Sequence, residues 1–207
     1  MAAVKAVIVV AAIGLSVVAC SVDGDAVRVP DLAPRTVASD VFPFGQASAV
    51  PAAQVPNAVA DITFTPMRAQ NQPADCTPPH VEASGAQVRV GPGGAAGGTI
   101  TVMLTRVSDT FDDYVTGLRD CSAFVLGGTV GTRVTTNVGS VADDTVASGR
   151  TLSNDGVPYA RVYELVAQRG DVRLYVQNRF GGHDLSAAER SATRTLFDSA
   201  YETAFAS

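Results

Sequence analysis

The sequence predicts an α+β fold: an antiparallel β-sheet with a short central helix and a C-terminal helix packed on one face. Three observations carry that prediction. Val172-Arg173-Leu174-Tyr175-Val176-Gln177-Asn178-Arg179-Phe180 alternates apolar and polar side chains, and it follows Val157 to Ala167 across Gln168-Arg169-Gly170-Asp171 as the second arm of a hairpin. Asp109 to Cys121 repeats Phe111, Tyr114, Val115, Leu118 and Cys121 three or four residues apart, behind an acid that can cap a helix. Ser186 and Glu189 form a capping box ahead of the stripe Ala192, Leu196, Phe197, Ala200, Tyr201, Ala204 and Phe205.

The chain opens on Lys5 and the apolar run Ala6 to Val18, which together read as an export leader. The run is shorter than the ~20 residues of a spanning helix. It is followed by Asp23 and Asp25 rather than by the basic flank of a cytoplasmic side. Val17-Val18-Ala19-Cys20 resembles a bacterial lipobox, in which a branched residue and two small ones precede the Cys that becomes the lipidated first residue. That resemblance implies export, cleavage before Cys20 and a diacylglyceryl thioether on its sulfur. Two acyl chains anchor a protein stably where one holds weakly, so Cys20 is expected to attach the chain to the outer face of the cytoplasmic membrane. The organisation expected is a leader over 1–19, a Pro/Ala-rich tether over 20–57 and a single domain over 58–207.

The formal net charge is −5, and Lys5, the only lysine, leaves with the leader. An acidic mature chain has no basic footprint for nucleic acid and no attraction to anionic headgroups beyond its anchor. Once Cys20 is acylated, Cys76 and Cys121 allow one intramolecular pairing, and an exported chain is expected to oxidise it. Such a bridge would contribute roughly 4 kcal/mol in the chain-entropy account. The alternative is two separate buried thiols.

In order along the chain, Pro30, Pro34, Pro43, Pro51 and Pro56 punctuate a lead-in without helix or strand period, in which Val41-Phe42-Pro43-Phe44 is expected to dock on the domain. The β-branched content of Val59 to Thr65 predicts a short strand that Pro66 ends. Pro73 to Pro79, with Cys76 inside it, is expected to be extended or turn-like, since each residue before Pro is pushed out of the helical region. Gln87 to Val90 and Thr99 to Val107 read as strands joined by the Gly-rich Gly91 to Gly98. That loop lacks the Gly-Lys-Ser/Thr ending of a phosphate-binding loop. Asp109, Asp112 and Asp113 lack EF-hand spacing and are read as capping acids. Ala123 to Leu126, Val130 to Val138 and Thr145 to Ala147 are further strands, and Ser153-Asn154-Asp155-Gly156 is a turn before the last hairpin. In that hairpin Arg173, Tyr175 and Gln177 are expected to face water.

No Gly-x-Ser-x-Gly elbow and no His-Glu-x-x-His pair occurs. His80 and His183 each stand alone among turn residues, so no metal site, cofactor or catalytic residue is assigned. The order of lipobox, Pro-rich lead-in, Cys76 in a Pro-Pro segment, Tyr-containing helix ending in Cys121 and strand-rich second half resembles small mycobacterial and related actinobacterial envelope lipoproteins. Many of these carry an uncharacterised domain similar to the extracellular sensor domain of the Ser/Thr kinase PknH. The resemblance implies a curved antiparallel sheet with flanking helices and a ligand-binding or sensing role, without catalytic residues to carry over. This chain departs from the kinase sensor in having one possible disulfide rather than two. The function expected is non-catalytic binding of an envelope lipid, glycan or protein ligand by a membrane-anchored domain. A structural or assembly role through a surface patch is the competing class, and a hydrolase working through Asp and Glu alone is a third.

Overall fold

The structure is a computed structural model that describes residues 31–94, 97–181 and 184–206. The expected leader, Cys20 and His183 lie outside the described residues. Eight strands form one open, curved antiparallel sheet in the order β1-β2-β3-β8-β7-β6-β5-β4. They are β1 Ser48–Ala49, β2 Glu82–Pro92, β3 Thr99–Arg106, β4 Ala123–Val125, β5 Arg133–Val141, β6 Thr145–Asn154, β7 Val157–Arg169 and β8 Val172–Phe180. Helices α1 Val55–Thr63 and α2 Phe111–Asp120 cover one face, and α3 Ala187–Phe205 covers the other. The α+β class and the antiparallel sheet are as the sequence predicts.

The strongest turn signal works as its chemistry requires. Asp155 and Gly156 both take positive φ, the two-residue loop whose twist suits adjoining strands, and Asn154 pairs with Val157 across it. The β7–β8 hairpin runs in register from Arg161 opposite Phe180 to Arg169 opposite Val172. β6 continues well past the expected Ala147, because it is hydrogen-bonded on both sides by β5 and β7 and its polar Ser148 and Arg150 find partners inside.

Two expectations for the first third of the chain are corrected. Val59 to Thr65 is not a strand but the end of α1 and its cap. Pro56 opens the helix, Val55, Val59 and Ile62 bury one stripe, and Phe64 closes it in the left-handed region. Burial of that stripe against β2 and β3 outweighs the small β preference of the branched residues. The tether does not extend to residue 57 as a free segment. Leu32, Val37, Phe42 and Ala47 are buried in the core under α3, and β1 pairs with Arg89 and Val90 of β2. Single apolar side chains set by short 3₁₀ turns at Ala33–Arg35 and Ser39–Val41 leave no periodic signature to read.

Helix α2 starts one residue later than expected. Thr110 is its N-cap, in a capping box with Asp113, which frees Asp109 for another task. Ser186 and Glu189 cap α3 as the sequence indicates, and Leu196, Phe197, Ala200 and Ala204 bury its stripe against Val102, Leu174 and Val176. The opposite side of β8 is the third correction. Arg173, Tyr175 and Gln177 do not face water: each is at most 3 % exposed, because α1 and α2 roof that face.

Candidate functional site

The roofed face holds a stripe of buried polar side chains laid down by strand register. Ser148 of β6 stands opposite Glu164 of β7, which stands opposite Gln177 of β8, while Gln168 stands opposite Arg173. Cross-strand partners share a face, so one register places five polar groups in a row beneath the helices. Glu164 is wholly buried and accepts from Tyr114 Oη at 3.2 Å, Ser148 Oγ at 3.2 Å, Arg150 Nη2 at 3.4 Å and the amide of Gln177. Gln177 also donates to the Ile62 carbonyl at 2.8 Å, which ties the end of α1 to the stripe.

Arg173 is the better satisfied of the two buried cations. Its Nη2 meets Asp109 Oδ2 at 2.8 Å, its Nε meets Gln168 Oε1 at 2.8 Å and its Nη1 meets Tyr175 Oη at 3.3 Å. Its guanidinium also lies over the Tyr114 ring at 4.2 Å. Burial alone would lower the Arg173 pKa, but Tyr175 and Asp109 outweigh it and the net shift is upward. Burial, with Glu164 next in weight, pushes the Tyr114 phenol well above its ordinary value, and burial likewise raises Tyr175. Both phenols are therefore neutral across physiological pH and act as hydrogen-bonding groups.

A cavity of about 120 Å³ opens between α2, the segment before β2 and the sheet. Pro78, Pro79, Val81, Leu118 and Phe124 supply apolar wall, and Arg150 and Arg173 line it from the sheet. The wall is fastened by the Cys76–Cys121 disulfide, whose Cα atoms are 5.4 Å apart. Cys76 ends a 3₁₀ turn and Cys121 is the C-cap of α2, so the bridge joins the strap to the helix that roofs the stripe. The strap is held further by Asn71, whose Nδ2 donates to the carbonyls of Phe64 and Cys76. Arg150 stacks over Phe64 at 4.3 Å, and its Nε–H meets no acceptor among the described residues.

Of the residues singled out in the sequence, Cys76 and Cys121 come together at this site, and His80 is exposed away from any ligand set. Among the described residues no three His, Cys, Asp or Glu side chains converge as a metal site, and no helix is long and apolar enough to cross a membrane. Sequence reasoning missed Arg150, Glu164, Arg173 and Gln177. A signal was present: the helix bearing Tyr114 and the C-terminal helix each need an apolar sheet face, and one face cannot take both.

Fold and site together define an antiparallel α+β domain with a disulfide-fastened cleft above a buried ionic stripe. No family model matches the chain, and no curated protein matches it. Among solved structures it is similar to an uncharacterised protein of Mycobacterium smegmatis, the Rv0999 ortholog, at 18 % identity and a TM-score of 0.43. That match covers 77 % of this chain and 85 % of the other.

Proposed function

We propose that the chain is an exported protein held to the outer face of the cytoplasmic membrane through a lipidated Cys20, and that its domain binds a small envelope ligand in the cleft under α2 without transforming it. The observation that supports binding is the cleft itself, a mostly apolar cavity lined from the sheet by Arg150 and Arg173 and with a disulfide in its wall. Concave, mostly apolar sites with few polar groups are the usual home of small ligands. At about 120 Å³ the cavity is of the size that holds a small ring or the end of a longer molecule. Native mass spectrometry of the full chain purified from its own envelope tests this. A retained small molecule that Leu118→Trp displaces supports the reading, and a chain that carries nothing overturns it. Cys20→Ala is expected to move the protein out of the membrane fraction; persistence there overturns the anchor.

One observation favours a second reading, assembly through a surface patch. Met67, Val130, Val157 and Tyr159 are exposed at 77, 92, 68 and 46 %. The loop that carries Val130 adjoins the start of β7, since Tyr159 Oη lies 2.9 Å from Thr132 Oγ1. Loss of a cross-linked envelope complex in Val130→Asp, with ligand retention unchanged, favours the patch over the cleft.

A further inference from the structure

Resting on the cleft as a binding site, we infer that its occupant is a flat aromatic ring without negative charge, laid against the bare backbone of α2 at Gly117. Glycine within a helix weakens it, through lost chain entropy, and is kept where the backbone needs a special conformation or a close approach. The first need is absent: α2 runs from Phe111 to Asp120, and Gly117 does not take a positive φ. Crowding by the protein itself is absent too, since a Cβ built on Gly117 meets no atom of the described residues within 4 Å. Gly117 instead lines the exposed mouth of the cavity with Asp75, Pro79 and Asp113, above buried Leu118 and Phe124. The close approach it permits is therefore that of a group entering the cleft.

The walls select a thin insert. Cys121 lies one turn beyond Gly117, its N–H donating to the Gly117 carbonyl at 3.0 Å, and its disulfide pins the strap to α2 with the two Cα atoms 5.4 Å apart. The gap between strap and helix is thus fixed close by, Pro78 and Pro79 line it from the strap, and the missing side chain at Gly117 leaves room for a ring but not for a bulky group. The volume, about 120 Å³, is near the ~150 Å³ of a cavity that takes benzene. Charge selects against an anion. Arg150 is already neutralised by Glu164 and Arg173 by Asp109, while Asp75 and Asp113 line the mouth with no third cation beside them among the described residues. A carboxylate would enter uncompensated, beside acids and among apolar walls, where burying a charge is costly.

The test uses three probes on the full chain in detergent, with partition into micelles subtracted: benzyl alcohol, cyclohexylmethanol and phenylacetate. Binding is followed through the ¹³C-methyl resonances of Leu118. Benzyl alcohol is expected to bind about tenfold more tightly than cyclohexylmethanol, although the saturated ring is the more apolar, and phenylacetate is expected to bind least. Gly117→Ala is expected to weaken benzyl alcohol binding about tenfold while raising the urea midpoint by about 0.2–0.5 M, because alanine suits the helix and its methyl takes the place of the ring. A glycine with a purely structural role would move both readings downward. Unchanged binding to Gly117→Ala, or a lowered midpoint, overturns the inference while leaving the cleft a binding site. So does binding of cyclohexylmethanol at least as tight as that of benzyl alcohol. Tightest binding by phenylacetate overturns the inference in favour of an anion site. Absence of binding by all three overturns both the inference and the cleft reading on which it rests.

Discussion

Glu164→Gln isolates the energetic centre of the roofed face. The substitution keeps the volume of the side chain but replaces an acceptor-only carboxylate by an amide with one acceptor and one donor end. Three donors converge on Oε1, from Tyr114, Ser148 and Arg150, and Gln177 donates to Oε2, so either orientation of the amide sets donor against donor. Arg150, 8 % exposed, also loses its one counter-charge among the described residues. Removing one partner of a buried pair costs about 3–5 kcal/mol. With a urea dependence of ~2 kcal/mol per molar, the midpoint is expected to fall by about 1.5–2.5 M. Combining Glu164→Gln with Arg150→Met is expected to restore most of the loss, since an apolar replacement for a buried pair is often neutral or stabilising. Equilibrium urea unfolding followed by far-UV circular dichroism reads both. A fall below ~0.5 M for the single variant, or a double variant no more stable than the single, would refute the account of Glu164 as a load shared by Arg150 and the hydroxyls.

Three further outcomes follow from the same geometry. Tyr114 and Tyr175 have phenols raised by burial, so the folded state keeps protons that the unfolded state releases; the stability this confers is complete below the ordinary tyrosine pKa of ~10 and declines as pH rises above it. Phenolate absorbance at 295 nm is expected to show these two rings ionising only with the loss of near-UV dichroism, and their reversible titration in the native state would contradict the burial argument. Reduction of Cys76–Cys121, separated by 45 residues, is expected to lower stability by about 2–4 kcal/mol, read as a shift in the urea midpoint with and without reductant; an unchanged midpoint would mean the strap is held without the bridge. Leu196→Ala, at a site 1 % exposed between α3 and the sheet, is expected to cost about 2–5 kcal/mol by the same measurement, and a cost under ~1 kcal/mol would place α3 outside the cooperative core.

Local chemistry was legible in most places where it acts over a few residues, the N-cap of α2, Thr110 rather than Asp109, being an exception. The Asp155-Gly156 turn, the Ser186 and Glu189 cap and the alternation of β8 are all decided by neighbours in the chain. The cleft was not legible for the opposite reason. Arg173 and Gln177 read as water-facing because alternation tells which residues share a face, not what covers it. Only the placement of α1 and α2 over that face turns the polar row into an interior one, and α1 itself was hidden by β-branched residues whose burial is tertiary. In the lead-in the docking of Phe42 was legible from its aromatic neighbourhood, but Leu32 and Val37 dock one at a time, and single anchors carry no period. The disulfide was within reach because two remaining cysteines admit one pairing, whatever the fold.

The margins of the sheet bear on how copies of the chain behave when crowded. At one margin stands a strand of two residues, at the other a strand of three. Where the next strand inward extends past its short neighbour, its ladder is interrupted, between Glu82 and Gln87 on β2 and between Val138 and Val141 on β5. Rows of free main-chain donors and acceptors recruit foreign strands only when they run long and straight. Neighbouring molecules pressed together at high density therefore find no rail along which to zip.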